Sequence, residues 1–462
     1  MRRLFFCSVA IGVQLSGGTL WAACSQNGQL GGGTVICSGT ISDSYMAEHA
    51  NITVRIERGA VLKAGRDDAA IEFEDDPGTL EMKGALQAEG DAIRAGDDFT
   101  LVNEGSISAV GDGVNISGRD DASLTNTGVI RTGGRAVHMD DVEDAGGTGH
   151  VLMNTGHIIS IRNEAVEGGN GNRVVNAAGA LIQGYDDALQ LGESAVIENH
   201  GVIRSVGMPG EPQDAIDLDS GRIVNGAGGQ IISDLDAAID FDASSIASLI
   251  DNAGEIRGVT GIMVETHASA ANIAVQEVIN QAGGVIAGRG GVALLLGAGE
   301  DRLVNHAGGI ITGSVLMGGD ADRVVLEGSI AGTFGGKRAV IDGGAGADHV
   351  VLSAYSFDQI TDVALMRDGF VLSLDNGTGA ADIALRNWES FDLAGTVYSA
   401  QEIAALAPQR APLTAGLLLL VLGFGGMGLI RGRRHLGAVA TVARGALARA
   451  TLGLQSASRT GA

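Results

Sequence analysis

The chain has 462 residues, 74 of them glycine and only 5 proline, and carries 55 acidic against 30 basic side chains for a net charge of −25. Two arginines lie in the first 23 residues and six in residues 411–462, where no acidic residue occurs, so residues 24–410 hold 22 basic against 55 acidic side chains, a net −33. A body that acidic repels nucleic acid and anionic lipid, which excludes DNA binding, and it keeps an edge-bearing β structure soluble.

Residues 1–23 read as an export signal. Arg2 and Arg3 precede the apolar run Leu4 to Leu15, and small residues end the segment at Ala22-Ala23. The mature chain is then extracytoplasmic. A lipoprotein reading of Ala22-Ala23-Cys24 is the alternative, disfavoured by Trp21 where a small aliphatic residue is expected. Cys7 leaves with the signal, so Cys24 and Cys37 remain in an oxidising compartment and are expected to form a disulfide that staples an N-terminal cap over residues 24–50. Metal binding by the two thiols is the rarer alternative.

From residue 101 one phrase recurs. Asparagines fall at Asn103, Asn126, Asn154, Asn176, Asn199, Asn225, Asn252, Asn280 and Asn305, each followed two or three residues later by glycine and then by a branched apolar residue such as Ile107, Ile130, Ile158 or Ile203. Between these phrases run short segments of period two, for example Asp214-Ala215-Ile216-Asp217-Leu218-Asp219 and Ala238-Ile239-Asp240-Phe241-Asp242. A fixed phrase in a loose period of 22 to 28 residues, built on period-two segments, specifies stacked β coils. The expected fold is all-β, a right-handed parallel β-helix over residues 51–352 of about a dozen coils. In it the asparagines point inward and stack as a hydrogen-bonded ladder, the glycines make bends that a Cβ would obstruct, and the isoleucines fill the tube.

The Asn-x-Gly-x-Ile phrase, alternating with Gly90-Asp91-Ala92-Ile93 and Gly111-Asp112-Gly113-Val114, resembles the passenger repeats of bacterial autotransporters and related surface adhesins. The resemblance covers residues 50–352 and implies a surface-displayed β-helix. The membrane-inserted β-barrel that exports such passengers has no counterpart in these residues.

Acidic doublets at Asp67-Asp68, Asp97-Asp98, Asp120-Asp121, Asp140-Asp141 and Asp186-Asp187 are the first candidates for chemistry, because paired carboxylates on a β-helix face suit acid/base cleavage of acidic polysaccharides. The stronger reading makes them solvated turns. Aromatic content is 3%, and beyond the signal the only tryptophan is Trp388, so no row of rings offers itself for sugar stacking. The histidines are scattered without metal-ligand spacing, and most read as turn or surface residues. Gly423-Phe424-Gly425-Gly426-Met427-Gly428 lies in an apolar segment, out of context for a nucleotide site.

From residue 296 the turns change character. Those around Asp301, Asp322 and Asp348 align on their aspartates, and Gly343-Gly344-Ala345-Gly346-Ala347-Asp348-His349-Val350 fits the calcium-binding nonapeptide pattern. The resemblance implies Ca²⁺ at these aspartates. Their spacings of 21 and 26 residues, against nine in a calcium-loaded roll, leave plain Gly-Asp turns as the other reading.

Residues 353–407 are expected to form a small β cap, with a hairpin at Asp368-Gly369 and a capping box at Ser399-Ala400-Gln401-Glu402 opening a short helix to Leu406. Residues 408–434 form the expected sorting and transmembrane tail. Leu413 to Ile430 is an uncharged run followed by Arg431, Arg433 and Arg434, which suits a single membrane helix with its basic end in the cytoplasm. Pro412, Leu413, Ala415 and Gly416 resemble the Val-Pro-Leu-Pro-Ala-Gly sorting signals of Gram-negative envelope proteins, with Ala411 and Thr414 in place of valine and the second proline. That implies an envelope processing enzyme as partner, and residues 435–462 make a basic extension beyond the signal. The functional expectation is a non-catalytic rod on, or released from, a Gram-negative surface, for adhesion or matrix contact. The alternative is a polysaccharide lyase or hydrolase on the same scaffold.

Overall fold

The structure, a computed structural model, describes residues 23–27, 32–66, 69–74, 77–139, 149–242, 244–264, 274–328, 334–335, 339–377 and 380–407. Residues 1–22 of the export signal, Asp67-Asp68, Asp140-Asp141, Pro412, Leu413, Ala415, Gly416 and the apolar run 413–430 lie outside these residues. No helix among the described residues is long and apolar enough to cross a membrane.

The described residues form an all-β right-handed parallel solenoid with almost no helix. A 17-stranded sheet is parallel from Thr34–Ser38 to Ser390–Leu393, with Ala23–Asn27 and Thr396–Ser399 added antiparallel. Two further faces are built from short strands such as Ser106–Ala109 and Val114–Asn115. From residue 255 the two faces share unbroken strands, Glu255–Val264, Val285–Leu295 and Ile310–Gly319, that run round the corner between them.

The core is three columns of like side chains in register. Ile107, Ile130, Ile158, Ile182, Ile203, Ile231, Ile256 and Ile286 stack on one face, as the repeat phrase requires. Leu124, Leu152, Val174, Ile197, Ile223 and Ile250 stack on the second, and Val137, Val166, Leu189, Ile216 and Ile239 on the third. All are buried. Burial of each such side chain stabilises by about 1.5–3 kcal/mol, and period-two strands deliver one to the tube at every second position.

The asparagine phrase makes two kinds of bend, distinguished by its glycine spacing. In the Asn-x-Gly form, the glycine lies against the coil below: a Cβ at Gly128 would sit 2.0 Å from the Gly105 carbonyl oxygen. In the Asn-x-x-Gly form the space is open but the backbone is left-handed, as at Gly228 with φ +83°. Glycine is needed in both, for contact in one and for conformation in the other.

Beyond residue 352 the chain leaves the stack and returns. Ile360–Met366 and Gly369–Asp375 form an antiparallel hairpin closed by the Met366–Gly369 pair, and Ala380–Arg386 runs antiparallel to Gly369–Asp375 and parallel to Val340–Ala345. Ser390–Leu393 then adds another parallel rung on His349–Leu352. Trp388 is buried and donates from Nε1 to the Ile341 carbonyl at 3.0 Å. Ser399 caps the short helix Ala400–Ala404 through the expected reciprocal bonds with Glu402.

Candidate functional site: two ladders and an acidic strip

Polar side chains in this solenoid are organised as columns, and three columns matter. The first is the asparagine ladder. Nδ2 of each asparagine donates to Oδ1 of the next at 2.7–2.9 Å, without a break from Asn103 to Asn305. From Asn126 to Asn280 the second Nδ2 proton goes to a backbone carbonyl of the next coil, as from Asn199 to Gln230 at 3.1 Å. The nine side chains are at most 1% exposed. Burial without a partner would cost about 1–3 kcal/mol per group, so the ladder is what permits amides inside the tube. The same register position is Met82 before the ladder and Leu326 and Leu352 after it.

The second ladder lies at the strand entrance, four residues before the first column's register position, and is interrupted where Phe99, Ala122, Ala195 and Gly221 stand there. Here a side chain accepts the backbone N–H of the equivalent residue one coil earlier. His150 Nδ1 takes the Ala122 amide at 3.1 Å, Asn172 takes His150 at 3.0 Å, and Ser248 takes Gly221 at 3.1 Å. In the last coils the rungs become acidic. Asp301 Oδ1 accepts from Gln276 at 2.7 Å, Asp322 from Asp301 at 2.8 Å, Asp348 from Asp322 at 2.9 Å, and Glu389 from Asp348 at 2.8 Å. The three aspartates named in the calcium-like turns therefore stack one per coil, each with one oxygen engaged by the main chain. Burial pushes Asp301 up to about 8 and Asp322 to about 7, and raises Asp348. Among the described residues no group of three or more His, Cys, Asp or Glu side chains is placed to hold a metal ion together.

The third column is a strip along the third face, where the outward register row reads Arg94, Asn115, His138, Glu167, Gln190, Asp217, Asp240. Its early rungs are charge-balanced: Asp112 faces His138 at 3.3 Å, and Arg135 pairs with Glu164 at 3.5 Å and with Glu167. Its later rungs are acidic. Asp187 Oδ1 accepts from the Asp214 amide at 2.7 Å, and Asp187 is pushed up to about 8 by burial and then by Asp217. Asp214 is pushed to about 10 by burial and then by Asp240, and its Oδ1 is buried without a hydrogen-bond partner. Asp219 rises to about 6 from burial and from Asp242.

One expectation needs correction. Asp98, Asp120 and Asp121 are exposed as expected of turns, but Asp187 is only 6% exposed, because its carboxylate turns along the strand entrance to meet the next coil. Among the described histidines His138 and His150 are the buried ones, each held by a polar neighbour along the stack. Cys24 and Cys37 are disulfide-bonded, joining the antiparallel first strand to the first parallel one.

No family model matches the chain, and no curated protein or solved structure matches it.

Proposed function

We propose that the chain is an exported, non-catalytic rod of a Gram-negative cell surface, working in adhesion or extracellular-matrix contact. The observation that supports this reading best is where the polar side chains go. Both ladders spend theirs on holding coil to coil, and the acidic charge is left to the exterior of a long regular stack. Such a scaffold presents area and length, which contact functions use. The export signal at 1–23 and the tail at 408–434 belong to the same reading. The tail anchors the new chain through 413–430, and an envelope enzyme cuts near residues 411–416 to transfer or release the rod. Residues 353–407 close the last coil against edge-to-edge association. Ca²⁺ at Asp301, Asp322 and Asp348 is a further part of this proposal, which calorimetry decides.

A second reading has one observation in its favour. Asp187 and Asp214 are buried carboxyls that keep their protons at neutral pH, the property a general acid needs in glycan cleavage. Incubating residues 24–407 with a panel of acidic polysaccharides, with and without Ca²⁺, separates the two. The rod reading expects retention of polymer on the protein without new reducing or unsaturated ends. Product formation that disappears in Asp214→Asn would replace it with the enzyme reading.

A further inference from the structure

The charge of the rod is not spread evenly round its coils. On the face whose core column runs through Ile107, Ile130, Ile158, Ile182 and Ile203, the alternate residues point outward, and the corner residue after each strand continues the alternation. In the strands that begin at Ser106, Val129, His157, Leu181 and Val202, none of these outward residues is acidic. Along the whole face, from Val61 to Ile310, the acidic outward residues are Glu89, Asp234 and Glu255, and the last two are paired with Arg204 and Arg257. The third face of the same coils holds Glu167, Asp217 and Asp240 in its outward row, and residues 24–410 are −33 overall.

Apolar side chains stand where the acid is missing. Val110 is 57% exposed, Ile161 42% and Val129 38%, with Ile159, Leu181 and Tyr185 half-buried between them. Arg131 and Arg204 rise from the same patch, and arginine and tyrosine are the residue types that anchor protein interfaces. Strands ~4.8 Å apart and residues ~3.3 Å along each make the face about 50 Å by 16 Å, or ~800 Å², the area that each partner of a stable pair buries. A monomer rarely leaves a contiguous apolar patch of several hundred Å² to water.

Three arguments make a second copy the occupant. Bodies that acidic repel wherever their charged surfaces meet, so the acid-free face is where two of them can approach. Its outward columns repeat at every strand spacing, so the ridges of one copy fit the grooves of another along the whole face. A glycan or a polyanion would need a row of rings or of free cations, whereas Tyr185 is the one aromatic residue pointing outward here and Arg204 and Arg257 are already paired.

We propose that two copies of the rod pair side by side through this face, about a two-fold axis that uses the same patch of each. The contact is face to face. It leaves the strand edges and the acidic strip outside, keeps the length of the rod, and stands whether the rod binds or cleaves.

The test is sedimentation velocity of the full chain in a neutral detergent, at NaCl concentrations from about 20 to 500 mM. Salt screens the repulsion between the acidic bodies without weakening apolar contact, so the dimer dissociation constant should fall at least ~5-fold across that range. V129D/I161D sets acid into the patch of both copies and should raise the constant at least ~10-fold at the highest salt. V129T/I161T, which keeps the β-branched shape and the strand, should raise it at least ~3-fold. Met153→Asp, at an exposed position of the second face, should leave it within ~2-fold of the wild type. A monomer at every salt concentration overturns the proposal. A dimer that loosens as salt rises also overturns it, because the acidic strip of one copy against the arginines of the other then holds the pair. So does a dimer that persists unchanged in both double variants, since a segment such as the tail at 413–430 then joins the copies.

Discussion

Replacing Asn199 by leucine tests whether the buried amides hold the coils. Asn199 accepts from Asn176 Nδ2 at 2.9 Å and from the Gly201 amide at 3.2 Å, and donates to Asn225 Oδ1 at 2.8 Å and to the Gln230 carbonyl at 3.1 Å. Asn199→Leu removes all four partners inside a closed tube. At ~1 kcal/mol for each hydrogen bond lost, the cost is about 4 kcal/mol, with a larger value wherever an orphaned group pays its full desolvation. Asn305 supplies the internal control. It accepts from Asn280 at 2.7 Å and donates to Gly309 at 3.1 Å, and the next rung on its column is already Leu326. Asn305→Leu therefore loses two bonds and should cost about 2 kcal/mol. Urea unfolding of residues 24–407 followed by far-UV circular dichroism measures both. Equal costs, or a negligible cost at Asn199, would refute an inward ladder as a source of stability.

Stability should fall as pH rises. Asp187, Asp214, Asp301 and Asp322 have folded values of about 8, 10, 8 and 7 against 3.8 in the free chain, so their stabilisation is complete below about pH 4 and is lost as pH rises through 7 to 10. Thermal melts at about pH 5 and 9 check this, and Asp187→Asn should lessen the difference. Gly128→Ala, which drives a Cβ into the Gly105 carbonyl, should destabilise more than Gly228→Ala, whose cost is the ~1–2 kcal/mol of a left-handed alanine; denaturant midpoints rank them. Reduction of Cys24–Cys37 should free Ala23–Asn27 at a cost of ~3 kcal/mol, while exchange protection at Val151–Asn154 stays as it was.

The asparagine ladder and the isoleucine column were legible because one residue type recurs in one phrase, and an amide, with both a donor and an acceptor, can bond to its own copy. The second ladder was hidden for the converse reason. Its position asks only for an acceptor, and His150, Asn172, Ser248 and Asp301 all serve; the usable signal was their shared offset of four residues before a ladder asparagine. Asp187 escaped because an Asp-Asp doublet reads alike whether a turn exposes it or a strand entrance buries it. The stack also outlasts its phrase. Leucine replaces asparagine at 326 and 352, and a hairpin intervenes before Ser390–Leu393 resumes the parallel sheet.

Small-angle X-ray scattering of residues 24–407 tests the central claim, a single in-register rod, most directly. Parallel rungs from Thr34–Ser38 to Ser390–Leu393 at ~4.8 Å each predict a particle roughly 60 to 70 Å long, with a pair-distance distribution skewed to short vectors and a long tail. A symmetric distribution from a nearly spherical particle would contradict it.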